Sequence, residues 1–556
     1  MTDWDDDDWE QDDDEFDRRQ RSSGSKTLWI VLGLAGGGVL LMLICGGIFI
    51  AAMVDGINNP GQGGVFEDLF VDNTPVEMPS AEVESPEEKH RAVVAAFRAE
   101  DVGVDDATLK AIERLFDKLI QGCDDDDYDA ISATFDIDRF LLQTKKTGVI
   151  TDMTVFEESQ LRETLSQSME NLSDLQRHIV IHVDPRSTCR EFVVYAYLWE
   201  EGYAGQEMRW WVIRNGGTWR FFDWEYLDFG MPESKTAAIF HENWDDPGID
   251  EYNRAMTDIN EAIDASADGD SKLAQAKLRR AAGRRVFPQV ADEVTLRIAY
   301  VWEMMDRSHE AIAAARRIGS PDKVPGAYDA QAMAYHDRGH HRKVIEFASK
   351  YMEHVGGGPN ILELKCDALV SLGRNDETTA DLWRWLRFEP DNVQPLQQLA
   401  GALDDDNRQK LVEHLSKLDD PVATAVSLAE WLLYSEPDSL DWLVDFVKSR
   451  AADSPTLDYL RGLAAQAIDD NAAAAKHFKR AMTREADEDK RNQYIDSFLD
   501  VMAEQERYIE AYAAAPDASE AFQNLMGYDD DDEDVLIEDD DDRQRLMEAH
   551  RIRMPD

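Results

Sequence analysis

Cysteine is scarce in this chain: four in 556 residues, too few for a disulfide framework. Cys45 lies in an apolar run, which leaves Cys123, Cys189 and Cys366. Cys123 and Cys189 fall in one predicted domain, where they either bridge or stand as buried thiols. Positive charge is scarce as well. With 58 Lys and Arg against 114 Asp and Glu, the net charge is −56. That excess argues against nucleic acid or anionic lipid as a partner of the body of the chain. The usual signatures of chemistry are missing too: no phosphate-binding glycine loop, zincin helix, paired-cysteine zinc site or nucleophile elbow occurs. His336, His340 and His341 form the densest histidine cluster, without a thiol partner or a carboxylate at ligand spacing. The expectation is no cofactor, no metal and no enzymatic activity.

One long uncharged run stands out. Thr27–Val54 holds 28 residues without Asp, Glu, Lys, Arg or His, long enough to span a bilayer as a tilted helix. It exceeds the apolar core of a cleaved signal, and Cys45 follows Ile44 rather than the small residue of a lipoprotein site. Arg18, Arg19, Arg21 and Lys26 precede it, and no Lys or Arg follows until Lys89. The positive-inside rule therefore predicts a single-pass protein with a cytoplasmic N-terminus and its body outside, as in a bacterial inner membrane. Gly33-x-x-x-Gly37 would let two such helices approach as a homodimer.

Residues 1–26 mix eleven acids with Trp4, Trp9 and Phe16 and read as a disordered cytoplasmic tail. Residues 55–87, rich in Gly, Pro and Asn, read as a linker. From 88 to 231 the pattern changes twice. Helical periodicity covers Glu88–Glu100, Asp106–Gln121, Tyr128–Gln143 and Phe156–Leu172. Alternation then marks strands at His178–Val183, Glu191–Trp199, Gln206–Arg214 and Thr218–Leu227, with Asn215-Gly216-Gly217 as a hairpin turn. Helices followed by a meander make a small α+β domain.

That order, with its closing hairpin WWVIRNGGTWRFFDWEYL, resembles the nuclear transport factor two-like superfamily, in which a curved sheet wraps helices into a cone. Some members are enzymes and others are binding or assembly modules. The resemblance implies a pocket that His178, His182, Tyr195, Tyr197 and Asp223 could line, as an alternative ligand-binding or enzymatic role. The tryptophans Trp199, Trp210, Trp211, Trp219 and Trp224 read first as its core.

From 250 to 525 the chain is helical and repetitive. Ala274, Ala311, Val344 and Thr378 are spaced by 37, 33 and 34 residues, and Ala262, Ala299, Ala332 and Cys366 each lie twelve residues earlier. Tyr335-x-x-x-Gly339 and Leu369-x-x-x-Gly373 end two first helices, and Pro390 closes a unit. Gly462, Ala474, Phe478 and Ala481 repeat the ladder later, with degenerate hairpins at Asp391–Ser454 and Lys490–Pro516. This pattern resembles the tetratricopeptide repeat. The resemblance implies an α-solenoid whose concave groove holds a peptide or helix of another protein. By phase, Tyr300, Tyr328, Gln331, Tyr335, Lys365, Tyr459 and Arg461 are its candidate contacts.

Residues 526–556 combine an acidic segment, Tyr528–Asp542, with a basic end able to form a capping helix. The acids lack the alternating ligands and glycine of a calcium loop. The whole reads as mainly α: a transmembrane helix, a small α+β cone and a helical-repeat scaffold that recruits proteins at a membrane.

Overall fold

A computed structural model describes residues 102–554 apart from 126, 148–153, 171, 173, 186–189, 201–204, 229, 243–246, 402–404, 436–439, 527–536 and 538. The expected tail, linker, Glu88–Glu100 helix and Cys189 lie outside the described residues. So does Thr27–Val54, and with it the proposed homodimer contact. The expected single-pass placement is corrected: among the described residues, no helix is long and apolar enough to cross a membrane. The 21-residue helix Pro247–Ala267 has the length but carries Asp250, Glu251, Arg254, Asp258, Glu261 and Asp264. Described Cys123 and Cys366 are buried. Burial pushes the Cys123 thiol up to about 12, and it donates to the Leu172 carbonyl at 2.9 Å.

The described chain divides into two compact units, the boundary falling after Leu364. The first opens with helices α1 (Asp106–Asp124), α2 (Tyr128–Ala133), α3 (Ile137–Lys146) and α4 (Val155–Glu170). The expected single helix over Tyr128–Gln143 is thus two. The chain pauses at Thr134–Asp136 because Phe221 claims its backbone: Asp136 N–H donates to Phe221 O at 2.7 Å, and Phe221 N–H donates to Thr134 O at 2.9 Å. The Asp136 side chain then caps α3 by accepting from Arg139 N–H at 3.0 Å.

Four strands follow, β1 (Leu175–Pro185), β2 (Glu191–Glu200), β3 (Gln206–Asn215) and β4 (Thr218–Tyr226), paired in sequence order as an antiparallel meander. Asn215 pairs with Thr218 across Gly216 and Gly217, both at positive φ (59° and 94°), as a two-residue turn of matching twist requires. Aromatic rings fill the space between sheet and helices. Phe116 meets Trp210 edge-on at 5.4 Å and Phe221 at 4.8 Å, while Phe135 meets Trp224 at 5.3 Å.

After α5 (Glu233–Glu242), this unit continues into three helical hairpins. They are α6 (Pro247–Ala267) with α7 (Ser271–Ala282), α8 (Ala291–Met304) with α9 (Ser308–Ala315), and α10 (Gly326–His336) with α11 (His341–Val355). Helix α12 (Pro359–Ser371) carries the unit boundary. The second unit runs on through α13 (Asn375–Phe388), α14 (Val393–Gly401), α15 (Asp405–Leu415), α16 (Pro421–Ser435) and α17 (Asp441–Arg450). It ends with α18 (Pro455–Ala467), α19 (Asn471–Arg484), α20 (Glu488–Glu504), α21 (Tyr508–Ala514), α22 (Ala518–Met526) and α23 (Asp540–Arg553).

The repeat is visible in the packing of each hairpin. Ala262, Ala274, Ala299, Ala311, Ala332, Val344 and Cys366 are wholly buried, and Thr378 nearly so. Where the helices touch, only small side chains fit: a Cβ on Gly462 would collide with the Phe478 ring. The turns repeat as well. Gly269, Asp306, Gly339, Gly373, Asp469 and Glu506 all have positive φ, and the first four are spaced 37, 33 and 34 apart, the same intervals as the buried ladder. After each of the six, the next residue donates its N–H to the carbonyl five positions back, as in Asp270 to Ala265, Arg307 to Trp302 and His340 to Tyr335. This is the closure that ends a helix through a left-handed residue.

The stretch expected as the degenerate hairpin Asp391–Ser454 forms two pairs, α14/α15 and α16/α17. The C-terminal helix α23, acidic in its first turn and basic in its last, packs on the second unit. Arg553 donates to the carbonyls of Tyr512 (2.5 Å) and Ala515 (2.7 Å), and His550 stacks on Phe522 at 4.0 Å.

Candidate functional site

The seven candidate contacts fall in both units, four in the first and three in the second. In the first unit, Gln331 is buried on α10 and donates to the Ala327 carbonyl of its own helix at 2.9 Å. Tyr335 is buried against Phe347, stacked at 5.5 Å, and its hydroxyl accepts from Arg316 at 2.8 Å. Tyr328 lies between His354 and Phe347 and donates to Asp322 at 2.6 Å. Tyr300 points its hydroxyl at Asp329, 3.0 Å away. In the second unit, Lys365 pairs with Asp381 at 2.8 Å, and Arg461 lies 3.8 Å from Asp458.

Tyr300 lies where the α+β module meets the hairpins of the first unit. Its neighbour Gly326 lies so close to the Leu227 carbonyl that a Cβ would sit 2.9 Å from it. Arg209 of β3 reaches the Lys323 carbonyl at 3.2 Å, and Tyr351 of α11 donates to Glu207 of β3. Strand β3 and the residues just after β4 thus meet the hairpins at the loop before α10, at the start of α10 and on α11. These contacts also set the local acidity. Burial pushes Glu207 up to about 8 against the opposing pull of the Tyr351 hydroxyl. Burial and the Asp228 charge take Asp329 to about 7.

In the α+β module the candidate pocket residues meet local partners. Asp223, raised to about 7 by burial, has its carboxylate engaged by the Ser234 backbone N–H at 2.9 Å, the Ser234 hydroxyl at 2.5 Å and the Trp224 N–H at 3.1 Å. His178 stacks on Phe116 at 5.0 Å, and His182 and Tyr195 lie 6.0 Å apart, ring to ring. Tyr195 and Tyr197 are buried. A shallow cavity of about 370 Å³ opens instead beside the β3–β4 turn, between Lys118, Asp125 and Arg220.

Tyr459 lines a groove. A cavity of about 260 Å³ runs across α16, α18 and α20, the first helices of three consecutive hairpins in the second unit. Leu433 and Leu463 give it an apolar floor, and Gln466 and Gln493 supply amides. Its acids are Glu430, Asp496 and Asp500. Tyr434 stands at its edge, 87 % exposed. Tyr459 is buried, stacked on Tyr494 at 4.4 Å, and donates to Glu430 at 2.8 Å. Gln493 donates to the same oxygen at 2.5 Å. Burial raises the Glu430 carboxyl, partly offset by the Tyr459 hydroxyl. Burial and the Asp500 charge raise Asp496, and burial and the Glu504 charge raise Asp500.

Sequence reasoning missed Glu430, Tyr434, Gln493, Asp496 and Asp500. A signal was present: on α20, Gln493, Asp496 or Ser497, and Asp500 recur at helical spacing opposite the buried Tyr494, Ile495, Phe498 and Leu499. It sits in the stretch where the repeat's small residues drift out of phase.

No protein-family model matches the chain, and no curated relative is found. Two solved structures illustrate its likeness. The assembly chaperone of RpL4, Acl4 (residues 1–338), is 12% identical, covers 47% of this chain and 96% of its own, and has a TM-score of 0.22. The tetratricopeptide-repeat domain of P58(IPK) is 12% identical, covers 58% of this chain and 94% of its own, and has a TM-score of 0.17. Superpositions this loose carry no argument, so the hairpin repeat rests on this chain's own phased ladder and turns.

Proposed function

We propose that this chain is a non-catalytic interaction scaffold, tetratricopeptide-like in its repeats, that holds a segment of a partner protein in the groove across α16, α18 and α20. The observation that carries the reading is the groove itself. Three consecutive first helices leave an apolar floor, amide donors and an exposed tyrosine open to solvent in the second unit. In the first unit, β3 and the residues just after β4 meet the hairpins at α10 and α11. The α+β module, whose element order resembles the nuclear transport factor two-like cone, then serves as a structural plug. Its aromatic filling and its engaged Asp223 support that role over catalysis.

A photo-crosslinking residue placed at Tyr434 of the full chain tests the proposal. Covalent capture of a discrete protein partner is expected there, and not from the same residue at Lys479, on the second helix of a hairpin. Capture that ignores position, or none at all, removes the groove as the working surface.

A further inference from the structure

The ten residues that line the groove include three carboxylates and no Lys, Arg or His. Two aspartates in other hairpins of this fold are neutralised by arginines. Asp258 is held by Arg280 and Arg284, with Arg284 at 2.6 Å. Asp458 is held by Arg484 at 2.5 Å and Arg480 at 3.2 Å. The arginines stand 22 and 26 positions after the aspartate in both hairpins. On α20, Asp496, Asp500 and Glu504 follow one another at single turns without such arginines. Asp496 accepts only an amide, from Asn524 at 2.6 Å. Among the described residues, no ion pair joins a base to Glu430, Asp496 or Asp500. Like charges on one helix face at four-residue spacing repel, and desolvation adds to the cost.

An occupant that brings positive charge relieves both. The exposed Tyr434 ring beside the acids selects among cations, because a guanidinium stacks on an aromatic face while pairing with a carboxylate. The volume, about 260 Å³, is below the roughly 300–1,000 Å³ of sites that enclose a small molecule. It suits side chains of a segment that continues past the groove. Resting on the scaffold reading above, we infer that the groove's occupant is an arginine-bearing segment of a partner protein, its guanidinium groups held by Asp496 and Asp500 and capped by Tyr434.

The test is fluorescence anisotropy on the full chain at physiological salt, with a labelled twelve-residue arginine–alanine peptide and its citrulline counterpart, which keeps the shape without the charge. Binding of the arginine peptide should weaken at least tenfold in Asp496→Asn/Asp500→Asn and several-fold in Tyr434→Ala. It should hold within twofold in Glu413→Gln/Asp419→Asn/Asp445→Asn, which removes more charge from outside the groove. The Asp496→Asn/Asp500→Asn variant should also melt higher than the parent, so weakened binding cannot be laid to misfolding. Equal loss in the control variant would reduce the effect to the general acidity of the chain and overturn the inference. Citrulline peptide bound as tightly, yet lost with Tyr434→Ala, would keep the groove and sink the cation. Binding of neither peptide, with no capture at Tyr434, would sink both readings. Capture of the chain's own Arg18–Lys26 stretch at Tyr434 would overturn the assignment to a partner.

Discussion

Glu506, Asp306 and Asp469 hold a left-handed backbone in a turn where the equivalent hairpins use glycine. An L side chain there costs roughly 1–2 kcal/mol, less for Asp, whose side chain tolerates the conformation better. Glu506→Gly should therefore gain about 0.5 kcal/mol once glycine's extra unfolded-state freedom is subtracted. Glu506→Val should lose about 1 kcal/mol or more. Chemical denaturation of the pair checks this: the two must move in opposite directions. Gly462 makes the converse demand. Phe478 occupies the space of any side chain at that position, so Gly462→Val should cost about 1–3 kcal/mol by overpacking. A stable Gly462→Val protein would mean that the helices α18 and α19 can part without loss.

Hairpins α6/α7 and α18/α19 are near copies 200 positions apart, and the likeness is legible in the sequence once the ladder is in phase. Asp258, Ala262, Asp270, Ala274, Arg280, Ala281 and Arg284 correspond to Asp458, Gly462, Asp470, Ala474, Arg480, Ala481 and Arg484. Asp270 and Asp470 cap their second helices alike, each accepting from the N–H three residues on at 3.0 Å. For Asp258, hydrogen bonds from Arg280 and Arg284 outweigh burial and hold the carboxyl below the usual carboxylate range. Asp458→Ala should cost about 1–3 kcal/mol, the range for hydrogen bonds to charged groups, and urea unfolding of the full chain reads it. A loss below a few tenths would show that half-exposed arginines gain little from this carboxylate. Local pattern thus disclosed the hairpins, the strands and their turn. It could not disclose which surfaces were taken. Gln331, Tyr335 and Tyr300 have the right phase, but phase reports position around one helix and not which neighbour takes the side chain, here the Ala327 carbonyl, Phe347 with Arg316, and Asp329. The pause at Thr134–Asp136 was hidden for the same reason, since its cause is β4. The groove lies where the small-residue ladder had faded, so the polar stripe on α20 looked like an ordinary solvated face.

Over the whole molecule, charge and burial set how stability follows pH. In the first unit Glu207 is raised to about 8 and Asp329 to about 7, chiefly by burial. The ordinary values are 4.5 for Glu and 3.8 for Asp. Between those values and the folded ones the native state binds more protons than the unfolded chain. Stability from these groups is then fully present at low pH and lost as pH rises through about 7 to 8. Asp258, Asp337 and Glu346 act oppositely, since their carboxyls are lowered in the fold and their contribution fades as pH falls below the ordinary carboxylate range. Thermal melts of the full chain should therefore show the first unit progressively less stable from pH 5 to pH 8. General repulsion among the 114 acids would also ease on acidification, but added salt screens that effect over about 10 Å at 0.1 M. Desolvation of Glu207 beneath Tyr351 is not screened. At 0.5 M NaCl the fall in melting temperature between pH 6 and pH 8 should persist in the parent and flatten in Glu207→Gln, which keeps an acceptor for the Tyr351 hydroxyl without a titrating proton. A fall that salt abolishes, or that Glu207→Gln leaves untouched, would assign the pH dependence to the acidic surface instead of to the carboxylates under the sheet.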